Sequence, residues 1–193
     1  MILLLLLQIP VAAWSYRGEM TRSAYRVHGP DAPVSTLAAQ IHQESRWKET
    51  ARSWVGAQGL AQFMPATASD MARLYPADCA PANPFSPRWA FACRDRYMAS
   101  LLRSQRPLSG SMTACDKWAL GFMAYNGGGG WVNRARRKAV AELKDPDNWQ
   151  VVRTLNPGRS AAAQQENSLY PEHIYRIETR YRSAGWGRGL GCF

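Results

Sequence analysis

Acidic side chains are scarce in this chain. Its 193 residues hold 14 Asp and Glu against 24 Lys and Arg, a formal net charge of +10, so the expected partner is a polyanion: nucleic acid, anionic lipid or an acidic cell-wall polymer. Histidine is scarcer still. His28, His42 and His173 have no metal-ligand spacing and no CxxC occurs among the four cysteines, so neither a metal nor a cofactor is expected. There is no alternating pattern long enough for a strand, no internal repeat, and no apolar run of the about 20 residues that span a bilayer as a helix. With 46% hydrophobic residues and eight tryptophans, a folded chain is expected, disorder being confined to near the ends. The length suits one globular domain with a real core.

The N-terminus MILLLLLQIPVAAWS has an apolar run of signal-peptide length that ends in the small residues Val11, Ala12 and Ala13. No Lys or Arg precedes the run, and Arg17 is the first positive charge, so an uncleaved apolar arm is the other reading. The expected organisation is residues 1–14 as a signal peptide or apolar N-terminal arm and 15–193 as one domain, exported to the periplasm or extracellular space. The cysteines, Cys79, Cys93, Cys115 and Cys192, fit export as two disulfides with three connectivities. The favoured pairing is Cys79 with Cys93 and Cys115 with Cys192, against free buried thiols in a cytosolic protein.

Helical periodicity dominates the rest. After a polar entry containing Pro30 and Pro33, the stretch STLAAQIHQESRW has Ser35 as expected N-cap and Leu37, Ile41 and Glu44 at i, i+4 and i+7, which puts a carboxylate on an apolar stripe. A loop, KETARSWVGAQG, leads to a helix beginning at Pro65, with Met71, Leu74 and Tyr75 inward. Ser86 and Pro87 open the next, which carries Phe91, Tyr97, Met98, Leu101 and Leu102. Another is expected from about Thr113 to Tyr125, using Trp118, Phe122 and Met123 and stopped by Gly127 to Gly130. A last helix holds Tyr170, Ile174 and Ile177, with Pro171 bending or breaking it. The expected fold class is all-α.

A carboxyl on an apolar face is costly unless paired or neutral, and desolvation raises its pKa toward that of a general acid. Glu44 is therefore a candidate acid, the alternative being a helix-end Glu paired with Arg46, Lys48 or Arg52. From Glu44 onward the chain reads ESRWKETARSWVGAQGLAQFMPATA, which resembles the signature of the soluble lytic transglycosylases, relatives of goose-type lysozymes that cleave peptidoglycan. Their Glu-Ser motif appears as Glu44-Ser45. Their Gly-Leu-Met-Gln-x-Met-Pro-x-Thr-Ala motif appears as Gly59-Leu60-Ala61-Gln62-Phe63-Met64-Pro65-Ala66-Thr67-Ala68, with Ala61 in place of Met. Their Ala-Tyr-Asn-Ala-Gly motif appears as Ala124-Tyr125-Asn126-Gly127-Gly128. The fourth, Glu-Thr-x-x-Tyr-Val, is partly kept as Glu166-Asn167-Ser168-Leu169-Tyr170-Pro171. The C-terminal stretch and the segment NPFSPRWAFAC look most like variants encoded by phages of Gram-negative bacteria, where such domains serve as endolysins.

The resemblance implies a lysozyme-like single domain of the lytic transglycosylase type, acting on peptidoglycan glycan strands as a monomer. It implies Glu44 as the one catalytic acid and base, and contact with substrate by Ser45, Ser53, Gln62, Met64, Tyr125, Asn126, Glu166 and Tyr170. Tyr125 would hydrogen-bond Glu44, Ser53 and Gln62 would meet the N-acetyl group and hydroxyls, Asn126 would orient the scissile unit, and Met64 would form an apolar wall. A goose-lysozyme-like muramidase and a virion-associated wall-degrading protein are the alternatives. Asp70, Asp95 and Asp116 are expected in surface ion pairs. Trp47, Trp54 and Trp131 are open between sugar stacking and core or rim packing. Arg134, Arg136, Arg137 and Lys138 are expected on the solvated face of a helix, favouring an anionic membrane or wall surface. No nucleic-acid motif surrounds these residues, so a nucleic-acid partner is not expected.

Overall fold

In the computed structural model, residues 9–110 and 112–193 are described. The apolar run over residues 1–8, central to the expected leader, lies outside them. Among the described residues the regular structure is helical, with isolated bridges pairing Arg52 with Gln58 and Gln58 with Phe63. The helices are α1 (Val11–His28), α2 (Val34–Ser45), α3 (Pro65–Leu74), α4 (Pro76–Cys79), α5 (Pro87–Ser104), α6 (Ala114–Gly127), α7 (Gly129–Ala141), α8 (Trp149–Val152) and α9 (Ala161–Ser183). The described residues divide into two units, one of residues 9–97, 174–191 and 193, the other of residues 98–110, 112–173 and 192.

The first unit is built on α2. Every residue from Val34 to Ile41 is buried, the pattern of a helix enclosed on all sides. Its first polar side chains are paired from outside, while the fully buried Gln40 amide has no hydrogen-bond partner among the described residues. Thr36 donates to Glu178 Oε2 at 2.6 Å and accepts from the Leu190 N–H at 3.0 Å. Ser35 does not cap the helix. Pro33 holds that position, and the Ser35 hydroxyl donates to the Gly187 carbonyl at 2.7 Å, tying the helix start to the C-terminal segment.

Three features here are not those read from the sequence. Residues before Pro30 form the 18-residue α1, because Ala13, Met20 and Ala24 make a narrow inward stripe of small or flexible side chains. Asp95 is fully buried. It accepts from Ser23 at 2.6 Å and lies 2.9 Å from the buried Arg94, which donates to the Leu37 carbonyl at 2.7 Å. The Arg94–Asp95 pair thus joins α1, α2 and α5 from inside, whereas Asp70 is a surface partner of Arg73 as expected. In α3 Met71 is inward but Leu74 is exposed, because that short helix buries only Ala68 and Met71. Cys79 and Cys93 form one disulfide and tie α4 to α5.

The second unit contains the end of α5, α6, α7, α8 and the start of α9. Thr113 and Asp116 form a reciprocal capping box on α6, and Asp116 also accepts the Trp149 N–H at 3.0 Å, so this acid organises helix ends instead of pairing on the surface. The four glycines divide between two helices. Gly127 closes α6, Gly128 alone takes a left-handed φ of 91°, and α7 starts at Gly129. α9 passes through Pro171 without ending. Cys115 and Cys192 form the second disulfide, so both pairings match the favoured connectivity.

On α7, Arg134, Arg137 and Lys138 are exposed, but Arg136 is buried. Its guanidinium donates to the Pro146 carbonyl at 2.9 Å, the Arg106 carbonyl at 2.8 Å and Asp147. Burial works against the Asp147 charge, yet the Ser109 and Leu108 N–H groups, the Ser109 hydroxyl and Arg136 outweigh it and hold the pKa at about 2. A carboxyl with a depressed folded-state pKa stabilises fully above its ordinary value of about 4, and that contribution is lost as pH falls through about 2. Asp147→Asn leaves Arg136 buried without its counter-charge, so we expect a loss of about 3 kcal/mol at pH 7 in urea denaturation and a flatter decline in stability between pH 4 and pH 2.

Candidate active site

Glu44 stands where a buried stripe reaches solvent. Leu37 and Ile41, seven and three residues earlier, are fully enclosed, while Glu44 in the last turn of α2 is half-buried. Ser45 behind it is buried, and its hydroxyl meets the Ile41 carbonyl at 3.3 Å and the Trp47 N–H at 3.1 Å. The hydroxyl thus serves the backbone that ends the helix beside Glu44.

The chain turns sharply after Ser45 because Arg46 and Trp47 both adopt left-handed conformations, at φ 49° and 65°. Two such residues in succession are unfavourable for side chains with a Cβ. Trp47 compensates by burial. Only 2% exposed, it lies among Tyr16, Phe91, Tyr181 and Trp186, and its Nε1–H donates to the Tyr181 hydroxyl at 2.6 Å. That hydroxyl also meets His42 Nδ1 at 2.8 Å. One hydroxyl thus links Trp47 to His42. Burial, then the charges of Arg180 and Arg46, lower the His42 pKa to about 4, and burial pushes that of Tyr181 upward. Tyr16 braces the loop by donating to Glu49 at 2.7 Å, a bond that with burial raises its own pKa to about 12. Trp47 is therefore a core residue.

Ser53, Gln62 and Met64 sit on the folded loop between α2 and α3. Ser53 accepts the Ala57 N–H at 2.9 Å and closes a turn whose tip exposes Trp54 (97%) and Val55. Gln62, at φ 48°, uses its side-chain Nε2 to hold the Gly59 carbonyl at 2.8 Å and the Ala51 carbonyl at 3.3 Å. Phe63 points inward against Trp89 and Tyr97, and its neighbour Met64 is 42% exposed. Gly59 is the fixed point. A Cβ there would lie 1.8 Å from the Pro84 carbonyl oxygen, and its φ is 74°.

The motif residues of the second unit have their own support. Asn126 donates to Glu166 Oε1 at 3.1 Å and accepts from Asn167 Nδ2 at 3.1 Å, and Asn167 also donates to the Met123 carbonyl at 2.8 Å. Gly127 leaves room at this crossing, since a Cβ would come within 2.5 Å of the Asn167 amide and of Arg159 and both side chains would have to shift. Burial lowers the Arg159 pKa and Glu166 opposes that shift. Tyr125 is half-buried, Glu166 is exposed, and Tyr170 is only 4% exposed. Trp131 lies under the Arg134 guanidinium, 3.8 Å from its ring centre.

Asn167 is the residue that motif reading undervalues. Its departure from Thr is the signal, because only the longer amide carries the donor that reaches two oxygens on α6.

The transglycosylase SLT domain profile matches residues 26–148. The chain belongs to the transglycosylase SLT domain family. Its all-α architecture is the lysozyme-like one of that domain. Three relatives are each called "Membrane-bound lytic murein transglycosylase F". That of Ectopseudomonas mendocina is 28% identical over 152 residues, 75% of this chain and 29% of that protein. That of Shewanella denitrificans is 29% identical over 168 residues, 87% and 29% of the two chains. In Alteromonas mediterranea the identity is 29% over 181 residues, 92% and 34%. This SLT chain thus spans about a third or less of those relatives' length.

Gly56 and Gly59 test what fixes the SLT loop. Both have φ in the left-handed region, but a Cβ at Gly56 meets nothing within 4 Å. Gly56→Ala is expected to cost about 1 kcal/mol, the conformational term alone. Gly59→Ala must also displace the Pro84 backbone and is expected to cost more than about 2 kcal/mol, with faster amide exchange over residues 46–64.

Proposed function

We propose that this protein is a peptidoglycan lytic transglycosylase, a glycosidic-bond lyase that uses Glu44 as its single catalytic acid and base. The observation that carries the reading is Glu44 half-buried at the solvent end of an otherwise enclosed helix, beside a loop fixed by Gly59 and Gln62. A carboxyl so placed is partly withdrawn from water yet open to a glycan, the placement a general acid requires.

The protonated Glu44 gives its proton to the oxygen joining MurNAc to GlcNAc as the bond from MurNAc C1 to that oxygen breaks. The MurNAc C6 hydroxyl then bonds to C1 and surrenders its proton to the Glu44 carboxylate. The products are a free GlcNAc hydroxyl and a 1,6-anhydro-MurNAc end, the acid is restored, and no water is consumed. Two carboxylates are ordinarily needed to hydrolyse a glycoside. Here the nucleophile belongs to the same sugar, whose high effective concentration replaces an activated water.

Ser53 and Gln62 are assigned the N-acetyl group and sugar hydroxyls, and the exposed Met64 an apolar wall beside the ring. By resemblance, Tyr125 sets the protonation of the acid, Asn126 orients the scissile unit, and Glu166 and Tyr170 complete the substrate contacts. The geometry adds a role for Ser45, which holds the helix end below the acid. Two disulfides support an oxidising compartment, and no helix among the described residues is long and apolar enough to cross a membrane. The excess of basic charge supports attraction to an anionic wall. The C-terminal resemblance supports a phage endolysin.

Glu44→Gln keeps the shape and removes the transferable proton. On purified peptidoglycan we expect turnover to fall on the order of 10²–10⁴-fold with an unchanged melting curve. Mass spectrometry of the wild-type digest should show anhydro ends, each lighter by one water than a reducing end. Full activity of the variant defeats the role of Glu44, and reducing ends alone mean hydrolysis.

A further inference from the structure

A charged cavity lies in the first unit, apart from the motif residues. It has a volume of about 280 Å³, and its lining includes Glu19, Arg22 and Arg26 from α1, Asp78 from α4 and Arg88 from α5. Glu19, Arg22, Ser23 and Arg26 succeed one another at i, i+3, i+4 and i+7, so one face of α1 forms a wall. Most of that wall precedes residue 26, where the family match begins.

The walls are held rigidly. Ser23 is anchored by its 2.6 Å bond to the buried Asp95. The disulfide joins Cys79, next to Asp78, to Cys93, next to the lining residue Ala92. Trp89 donates to the Cys79 carbonyl at 2.7 Å and fixes α5 against α4 a second time.

The charges are unequally satisfied. Asp78 is neutralised by Arg96 at 2.6 Å and Arg26 at 3.4 Å. Among the described residues Arg22 and Arg88 have no carboxylate partner, and Glu19 has no cationic one. Two unpaired guanidiniums and one unpaired carboxylate around one cavity match a ligand with a carboxylate and an ammonium on the same small group. Guanidinium forks suit a carboxylate in particular.

We propose that this cavity binds an α-amino-acid zwitterion, its carboxylate on Arg22 and Arg88 and its ammonium on Glu19. Resting on the peptidoglycan reading above, the source is the free amino-acid end of a diamino acid in an uncross-linked stem peptide. Such a site would bring the enzyme to wall regions where stem peptides end freely.

The probe is meso-diaminopimelic acid, titrated into the full-length protein and followed by calorimetry and by amide shifts in NMR. Binding in the millimolar range is expected, with shifts confined to α1, α4 and α5. Pimelic acid, which has both carboxylates and no ammonium, should bind at least about tenfold more weakly, and so should inorganic phosphate. Arg22→Ala with Arg88→Ala should weaken diaminopimelate binding by about tenfold or more, and Glu19→Gln should remove the preference over pimelate. Absence of diaminopimelate binding, shifts elsewhere, or equal binding of pimelate or phosphate overturns the proposal. Lytic activity is measured separately on peptidoglycan. Binding without lysis leaves the cavity standing and defeats the proposed function, while lysis without binding does the reverse.

Discussion

A carboxylate can be brought to the edge of an apolar core only on a backbone that is itself satisfied and immovable, and α2 meets that requirement. Its first two turns are enclosed on every side, so its hydrogen bonds are shielded from water and its axis is fixed by the C-terminal segment through Ser35, Thr36 and Glu178. Glu44 inherits that rigidity because it belongs to the last turn. The loop beyond it is equally constrained. Two left-handed residues reverse the chain at once, a strained arrangement held in place by the burial of Trp47 and its bond to Tyr181.

The parts of the fold that local pattern determines are legible in the sequence. Leu37, Ile41 and Glu44 share one stripe, Pro65 and Pro87 start helices, and the cysteines pair in the favoured connectivity. The parts set by tertiary partners are not. α1 escapes a periodicity reading because a stripe of two alanines and one methionine carries little hydrophobic contrast. Asp95, Asp116 and Arg136 read as surface charges because a sequence shows their sign and not their depth. Each is a polar group whose partners come from elsewhere in the chain: Ser23 for Asp95, Trp149 for Asp116, and Asp147 with two carbonyls for Arg136.

The same distinction separates the residues proposed to meet substrate from those that hold them. Motif resemblance points to Gln62, Met64 and Asn126 by chemistry. It does not show that Gln62 spends its amide nitrogen on two backbone carbonyls, that Met64 faces outward because Phe63 is anchored inward, or that Asn126 is set by Asn167. Motifs record which side chain is needed, whereas its orientation depends on neighbours with no catalytic chemistry of their own.

Gly127 shows how narrow that dependence is. Its backbone is not in the left-handed region, so space and not φ is what a side chain there would contest: the Asn167 amide and the Arg159 guanidinium occupy the place of a Cβ and would have to move. Beside the bare glycine the amide packs closely and binds the Met123 carbonyl and Asn126 together. Gly128, one residue later, has open space around it and is constrained by φ instead. Two adjacent identical residues in one run therefore do different work, one leaving room for a positioning side chain and the other reversing the chain.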